Sequence, residues 1–146
     1  MAVYRTTFPI DASADAVWDV LTDFERYPEW NPSVPSISGE VRSGSTVAIT
    51  LAMPGRPSPK VKATLDDVVP GRRLTWHGNV GADWLFAGSR EFLIDPQPDG
   101  TVHFTHVEDV SGALFPLFRA AMGSAIQRHH DDLNLALRRR AETLTN

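Results

Sequence analysis

The sequence predicts an α+β domain: a curved antiparallel sheet of seven strands, two short helices after the first strand, and one long C-terminal helix lying on the sheet. Three observations carry this. Most of the chain consists of short apolar/polar alternating segments set between proline- and glycine-bearing turns, which is the pattern of strands. One helical insert interrupts that pattern between residues 11 and 32. From residue 111 to 144 the periodicity becomes that of a single amphipathic helix. Strands joined by tight turns give an antiparallel meander. A lone long helix on a bent sheet can close over a cavity rather than a solid core. The 146 residues suit one domain, 1–146, with no repeat, low-complexity tract or linker.

Residues 3–10 alternate, with Tyr4, Thr6, Phe8 and Ile10 on one face. Ser13 or Asp11 is the expected N-cap of the first helix, whose apolar positions are Val17, Trp18, Val20, Leu21 and Phe24. Pro28 and Pro32 keep any second helix short. Strands are expected over 34–41 and 46–53, around a turn at Arg42, Ser43, Gly44 and Ser45. A rigid proline-rich loop follows at 54–59. Strands over 61–69 and 73–78 turn at Pro70 and Gly71; strands over 89–95 and 101–110 turn at Pro98, Asp99 and Gly100.

On the terminal helix, a step of about 100° per residue puts Leu114, Phe118, Ala121, Met122, Ala125, Leu133 and Ala136 in one stripe. His129 falls near its centre and His130 at its solvated edge; Arg119, Gln127, Asp131, Asn134 and Arg138 lie opposite. Pro116 suits the first turn. Gly123 and Ser124 weaken the middle, where a bend is expected. The small residues of the stripe favour a helix that borders a space over one that fills a core.

Composition excludes several classes. Net charge is -4, and Arg138, Arg139 and Arg140 form the one basic run, so no nucleic-acid partner is expected. That run suits the last turns of a helix, where cations oppose the dipole. Cysteine is absent, which removes disulfides, thiol nucleophiles and thiolate metal sites. No segment approaches the roughly 20 apolar residues of a membrane span, and the first ten residues lack a signal-peptide core. The expectation is a soluble, cytoplasmic, monomeric or homodimeric protein.

Two blocks carry a resemblance. VWDVLTDFERYPEWNP at 17–32 resembles the opening helices of the SRPBCC superfamily, which holds START-type lipid carriers, the birch-pollen-allergen fold and polyketide cyclase/dehydrase-like proteins. GSREFLIDP at 88–96 with DGTVHFTHVEDVSG at 99–112 resembles the last hairpin and helix entry of the polyketide cyclase-like branch. The order of elements agrees over nearly the whole chain. The resemblance implies a helix-grip fold with a cavity between sheet and helix. It implies no particular activity, because fold and function are separable.

Candidate functional residues follow from facing. Trp76 shares a strand face with Leu74 and is expected at the cavity. Trp84 and Phe86, in the connection 79–87, either form a mouth over the cavity or begin the next strand. Arg90 lies on a face with Phe92 and Ile94; its partner is a ligand carboxylate or phenolate, or Glu108 on the next strand. Phe104, His106 and Glu108 share one face, and a histidine and a carboxylate there could act as acid and base on an enolisable carbonyl, or form a structural pair. His129 could bond a ligand or be a satisfied core residue. Metal binding is not expected: His103 faces away from His106 and Glu108, and His129 and His130 diverge on a helix. No cofactor is indicated.

The expected ligand contacts are therefore Trp76, Trp84, Phe86, Arg90, Phe92, Phe104, His106, Phe118, Met122 and His129, with His106, Glu108 and Arg90 as catalytic candidates. The leading expectation is a binder or carrier of a small hydrophobic, lipid- or polyketide-like molecule. The second is a cofactor-free cyclase, aromatase or dehydratase. The third is an interaction module using loop 54–59 and the Arg138–Arg140 run.

Overall fold

The computed structural model describes residues 2–52, 60–122 and 124–145. The proline-rich loop 54–59, the end of the strand expected over 46–53, and Gly123 lie outside them. The strands are β1 Ala2–Ile10, β2 Ser36–Ser38, β3 Thr46–Thr50, β4 Lys60–Val69, β5 Arg73–Asn79, β6 Ala87–Pro96 and β7 Val102–Ser111. They form one antiparallel sheet in the order β1-β7-β6-β5-β4-β3-β2. Helices α1 (Ala14–Thr22) and α2 (Tyr27–Trp30) follow β1, joined by a 3₁₀ turn at Phe24–Arg26; α3 (Phe115–Met122) and α4 (Ala125–Thr145) follow β7. This is the helix-grip arrangement.

Local chemistry sets these bounds. Ser13 caps α1, its Oγ accepting from the Ala16 amide at 3.1 Å. Ser13→Ala is expected to lower stability by about 1 kcal/mol, read as a shift in the urea midpoint at unchanged slope. Only residues 36–38 of the strand expected over 34–41 pair with β3. The Asn31 side chain takes the amides of Ser33 and Val34 into a turn before it, and Gly39, at φ +142, breaks it afterwards. A register shift between Leu65 and Val68 bulges β4 and adds curvature.

The helix expected over 111–144 is corrected in two ways. Strand β7 runs on to Ser111, because residues 102–110 pair with both β1 and β6 and Ser111 still pairs with Ala87 of β6. Gly112 then turns the chain at φ +116, and helix begins at Phe115. Helix α3 and helix α4 are separate pieces on either side of residue 123.

The core divides accordingly. Leu133, Leu137 and Ala141 of α4 pack with Val17, Leu21, Leu74, Phe92 and Phe104 in one large cluster. A smaller cluster of Val110, Phe115 and Ile126, with Phe86, Phe118 and Met122 against it, forms the other end. Leu133, Leu137 and Ala141 thus fix α4 in the larger cluster, while Ile126 near its start joins the smaller one.

Candidate functional site

Pairing register arranges the inward face in rows. Leu65, Trp76, Arg90, Glu108 and Tyr4 align across β4, β5, β6, β7 and β1. The next row toward the closed end is Leu74, Phe92, His106 and Thr6; beyond it stand Ile94, Phe104 and Phe8. Charge therefore sits in one row, flanked on one side by rings and on the other by a cavity.

That cavity has a volume of about 160 Å³. Ile49, Val61, Trp76, Phe86, Phe118 and Ile126 give its apolar wall; Arg90, Glu108 and His129 are among its polar lining. An apolar cavity of this size can admit a small aromatic molecule. A groove of about 340 Å³ lies outside α1, α2 and α4, but the cations that line it are already paired: Arg26 with Asp23 and Glu29, and Arg140 with Glu29.

Of the sequence-predicted residues, Trp76, Phe86, Arg90, Phe118, Met122 and His129 line the cavity, as does Glu108. Phe92, Phe104 and His106 do not border it; all three are fully enclosed in the layer beneath. Trp84 is 72% exposed on the rim and neither lines the cavity nor joins β6. Phe86 does turn inward and packs edge-on against Phe118, ring centres 4.9 Å apart.

The partner of Arg90 is Glu108, Nη2 to Oε2 at 3.3 Å, with both side chains about a tenth exposed (11% and 10%). Arg90 Nη1 and Glu108 Oε2 make no hydrogen bond among the described residues. Behind this pair, His106 Nδ1 bonds Asn134 Oδ1 at 2.8 Å, and His130 Nε2 bonds Thr6 Oγ1 at 3.1 Å. The two imidazoles stack face to face, centres 4.0 Å apart and planes 8° apart. Burial holds the pKa of His106 well below the usual histidine value, with the Arg90 charge adding to the effect. Burial likewise lowers His129 and His130, with Arg90 again adding and Glu108 opposing.

Two expectations need correction here. His130 is not solvated: it is fully buried, and Asn134, expected on the polar side, is 5% exposed against His106. On α4 itself, Ile126, His130, Leu133, Leu137 and Ala141 form the buried stripe. That spacing was available in the sequence as the signal for His130.

His106, Glu108 and His130 offer ligand-type atoms within 4.8 Å of one another. Metal coordination needs in-plane nitrogen lone pairs that converge. Parallel stacked rings send theirs side by side, and Arg90 already holds the carboxylate. The arrangement suits hydrogen bonding better than a cation.

A sequence profile of the family described as polyketide cyclase / dehydrase and lipid transport matches residues 1–142. No curated protein matches the chain. Among solved structures, a START superfamily protein from Mycobacterium smegmatis is similar at 22% identity, covering 98% of this chain and 99% of that one, with TM-score 0.75. The ZhuI aromatase/cyclase from Streptomyces sp. R1128 is similar at 18% identity, covering 97% and 93%, with TM-score 0.76. A hypothetical protein of Helicobacter pylori reaches TM-score 0.79 at 14% identity, covering 96% and 88%. At these identities the likeness is one of fold. No helix among the described residues is long and apolar enough to cross a membrane.

Proposed function

Because the chain belongs to the polyketide cyclase / dehydrase and lipid transport family, we propose that its cavity binds a small, uncharged, mainly apolar ligand, lipid- or polyketide-like, through one hydroxyl or carbonyl group. The observation that carries this is the apolar cavity bordered by the Arg90–Glu108 pair. The charge of Arg90 is already balanced by Glu108. A ligand carboxylate would bring an uncompensated anion into a poorly solvated space, at a large desolvation cost. A hydroxyl or carbonyl adds no charge beside the pair, and its oxygen can accept from the guanidinium, whose Nη1 makes no hydrogen bond among the described residues. Trp76 and Phe118 would flank the apolar body.

The test uses 2-naphthol, a neutral fluorescent ring alcohol, against 2-naphthoate, its carboxylate counterpart. The alcohol is expected to bind at least about tenfold more tightly, a difference of about 1.4 kcal/mol. Ile126→Trp, which fills the space from α4, is expected to abolish binding with the fold retained by circular dichroism. Equal affinity for the two probes, or binding unchanged by Ile126→Trp, would sink the reading. Native mass spectrometry of protein from its own host would then identify the natural occupant.

A second reading is a cofactor-free cyclase, aromatase or dehydratase. It draws on three proton-handling groups, Arg90, Glu108 and His129, lining one cavity. His129, held below the usual histidine pKa, is neutral near pH 7 and would be the base. Glu108 is tied to Arg90, and His106 is walled off behind it, which favours binding over turnover. Loss of turnover in His129→Gln with 2-naphthol affinity kept would decide for the enzyme.

A further inference from the structure

We propose that His106 and His130 form a proton-operated latch: protonating the pair releases the N-terminal half of α4 from the sheet and opens the cavity. The proposal rests on the cavity being a binding site, as argued above.

The geometry is a column of four rings that ties three strands to the helix. Phe92 on β6 stacks on His106 of β7 at 4.7 Å and 24°. His106 stacks on His130 of α4 at 4.0 Å and 8°. His130 leans on Tyr4 of β1 at 6.2 Å. Both imidazoles are fully buried, and each carries one further tether between sheet and helix: Asn134 to His106, and Thr6 to His130. The preceding residue, His129, adds a tether through its backbone carbonyl, which accepts from Ser33 Oγ at 2.5 Å.

The rest of α4 is held differently. Leu133, Leu137 and Ala141 are packed in apolar core, and Arg140 pairs with Glu29. Mild acid leaves those contacts alone. The helix is therefore proton-sensitive at the cavity end and hydrophobically fixed at the other, as a lever needs.

The surroundings of the pair disfavour charge. From β6, Arg90 faces both rings with a positive charge; from β7, the Glu108 carboxylate could receive an imidazolium but is engaged by Arg90. From β1 come Thr6 and Tyr4, both neutral; on α4 itself, Asp131 is exposed and bonded to Gln127. A first proton thus meets no free anion, and a second would sit one ring-stack away from the first. Burial opposes both.

The sign follows. With the folded pKa depressed, the closed form refuses protons that the open form accepts at the ordinary value of about 6.5. The closed form is fully favoured above that pH and loses ground as pH falls below it. Two coupled protons can raise the open fraction by up to about a hundredfold per pH unit.

The experiment is stopped-flow release of 2-naphthol from the whole protein between pH 8 and pH 5, with far-UV circular dichroism at each pH. The release rate is expected to rise at least about tenfold between pH 7 and pH 5 while helix content stays constant. His130→Phe and His106→Phe keep a ring in the column and remove the titrating nitrogens; each is expected to flatten the profile to within about threefold. A flat wild-type profile, or a slope kept in both variants, overturns the latch. If either variant fails to fold, ¹⁵N histidine spectra of the wild type decide. Neutral rings at the pH where release accelerates would overturn the proposal, and rings that titrate together with release support it. Failure of 2-naphthol to bind at pH 8 would fail the binding reading alone. The latch is then read from acrylamide quenching of the buried Trp76, expected to rise below pH 6.5 in the wild type and to stay flat in His130→Phe.

Discussion

Arg90→Met is expected to cost about 3–5 kcal/mol of folding free energy, and adding Glu108→Gln in the same chain is expected to restore most of it. The single change leaves the Glu108 carboxylate in a site about a tenth exposed, with no other cation at bonding distance among the described residues. Solvation lost by that carboxylate on folding is then uncompensated. In the double variant both charges are gone and the two neutral side chains fill similar volume on adjacent, paired positions of β6 and β7. The coupling energy from the double-mutant cycle, measured by urea unfolding, should therefore be large and compensating. A single-variant loss under about 1 kcal/mol would mean that the pair behaves as a solvated surface bridge. It would also remove the charge-balance argument for an uncharged ligand.

Gly112→Ala is expected to destabilise by about 2–4 kcal/mol and to loosen the rim of the cavity. At φ +116 an L side chain is strained, and the added Cβ would stand 2.5 Å from the Leu85 carbonyl oxygen and 2.7 Å from Phe86 Cα. Both are backbone atoms, so the segment 82–86 must move. That segment is bonded to the start of α3 through Ala113 N to Trp84 O at 2.8 Å and Leu114 N to Leu85 O at 2.9 Å. Phe86 and Phe118, whose rings meet across the cavity rim, would separate. Affinity for 2-naphthol should fall together with stability. Gly100→Ala supplies the control: φ is +87, but nothing lies within 4 Å of its Cβ. It is expected to cost about 1 kcal/mol, from strain alone. Equal losses at the two glycines would show that the rim contact carries no weight.

The strands were legible because alternation and turn chemistry are local. Pro98, Asp99 and Gly100 mark the last hairpin, and Gly100 has the positive φ expected of that turn. The shared facing of Arg90 with Phe92 and Ile94, and of His106 and Glu108 with Phe104, was legible too, since alternation fixes the relative parity along a strand; which face is inward was not. The terminal helix was less so. Its first expected residue, Ser111, belongs to β7 through its pairing with Ala87 of β6, and Gly112 turns the chain before helix begins at Phe115. Its facing on α4 differs too: His130, expected at the solvated edge of the stripe, and Asn134, expected opposite it, both lie in the interior.

By itself, the sequence determined the order of elements and which residues share a face along each strand. Both follow from spacing along the chain. Only the tertiary structure decided that Arg90 meets Glu108, that His130 lies over His106, and that Phe104 is core while Phe86 borders a cavity. Those outcomes depend on how far α4 stands from the sheet at each turn. That distance is set by the packing of side chains from different parts of the chain at once, and no local pattern encodes it.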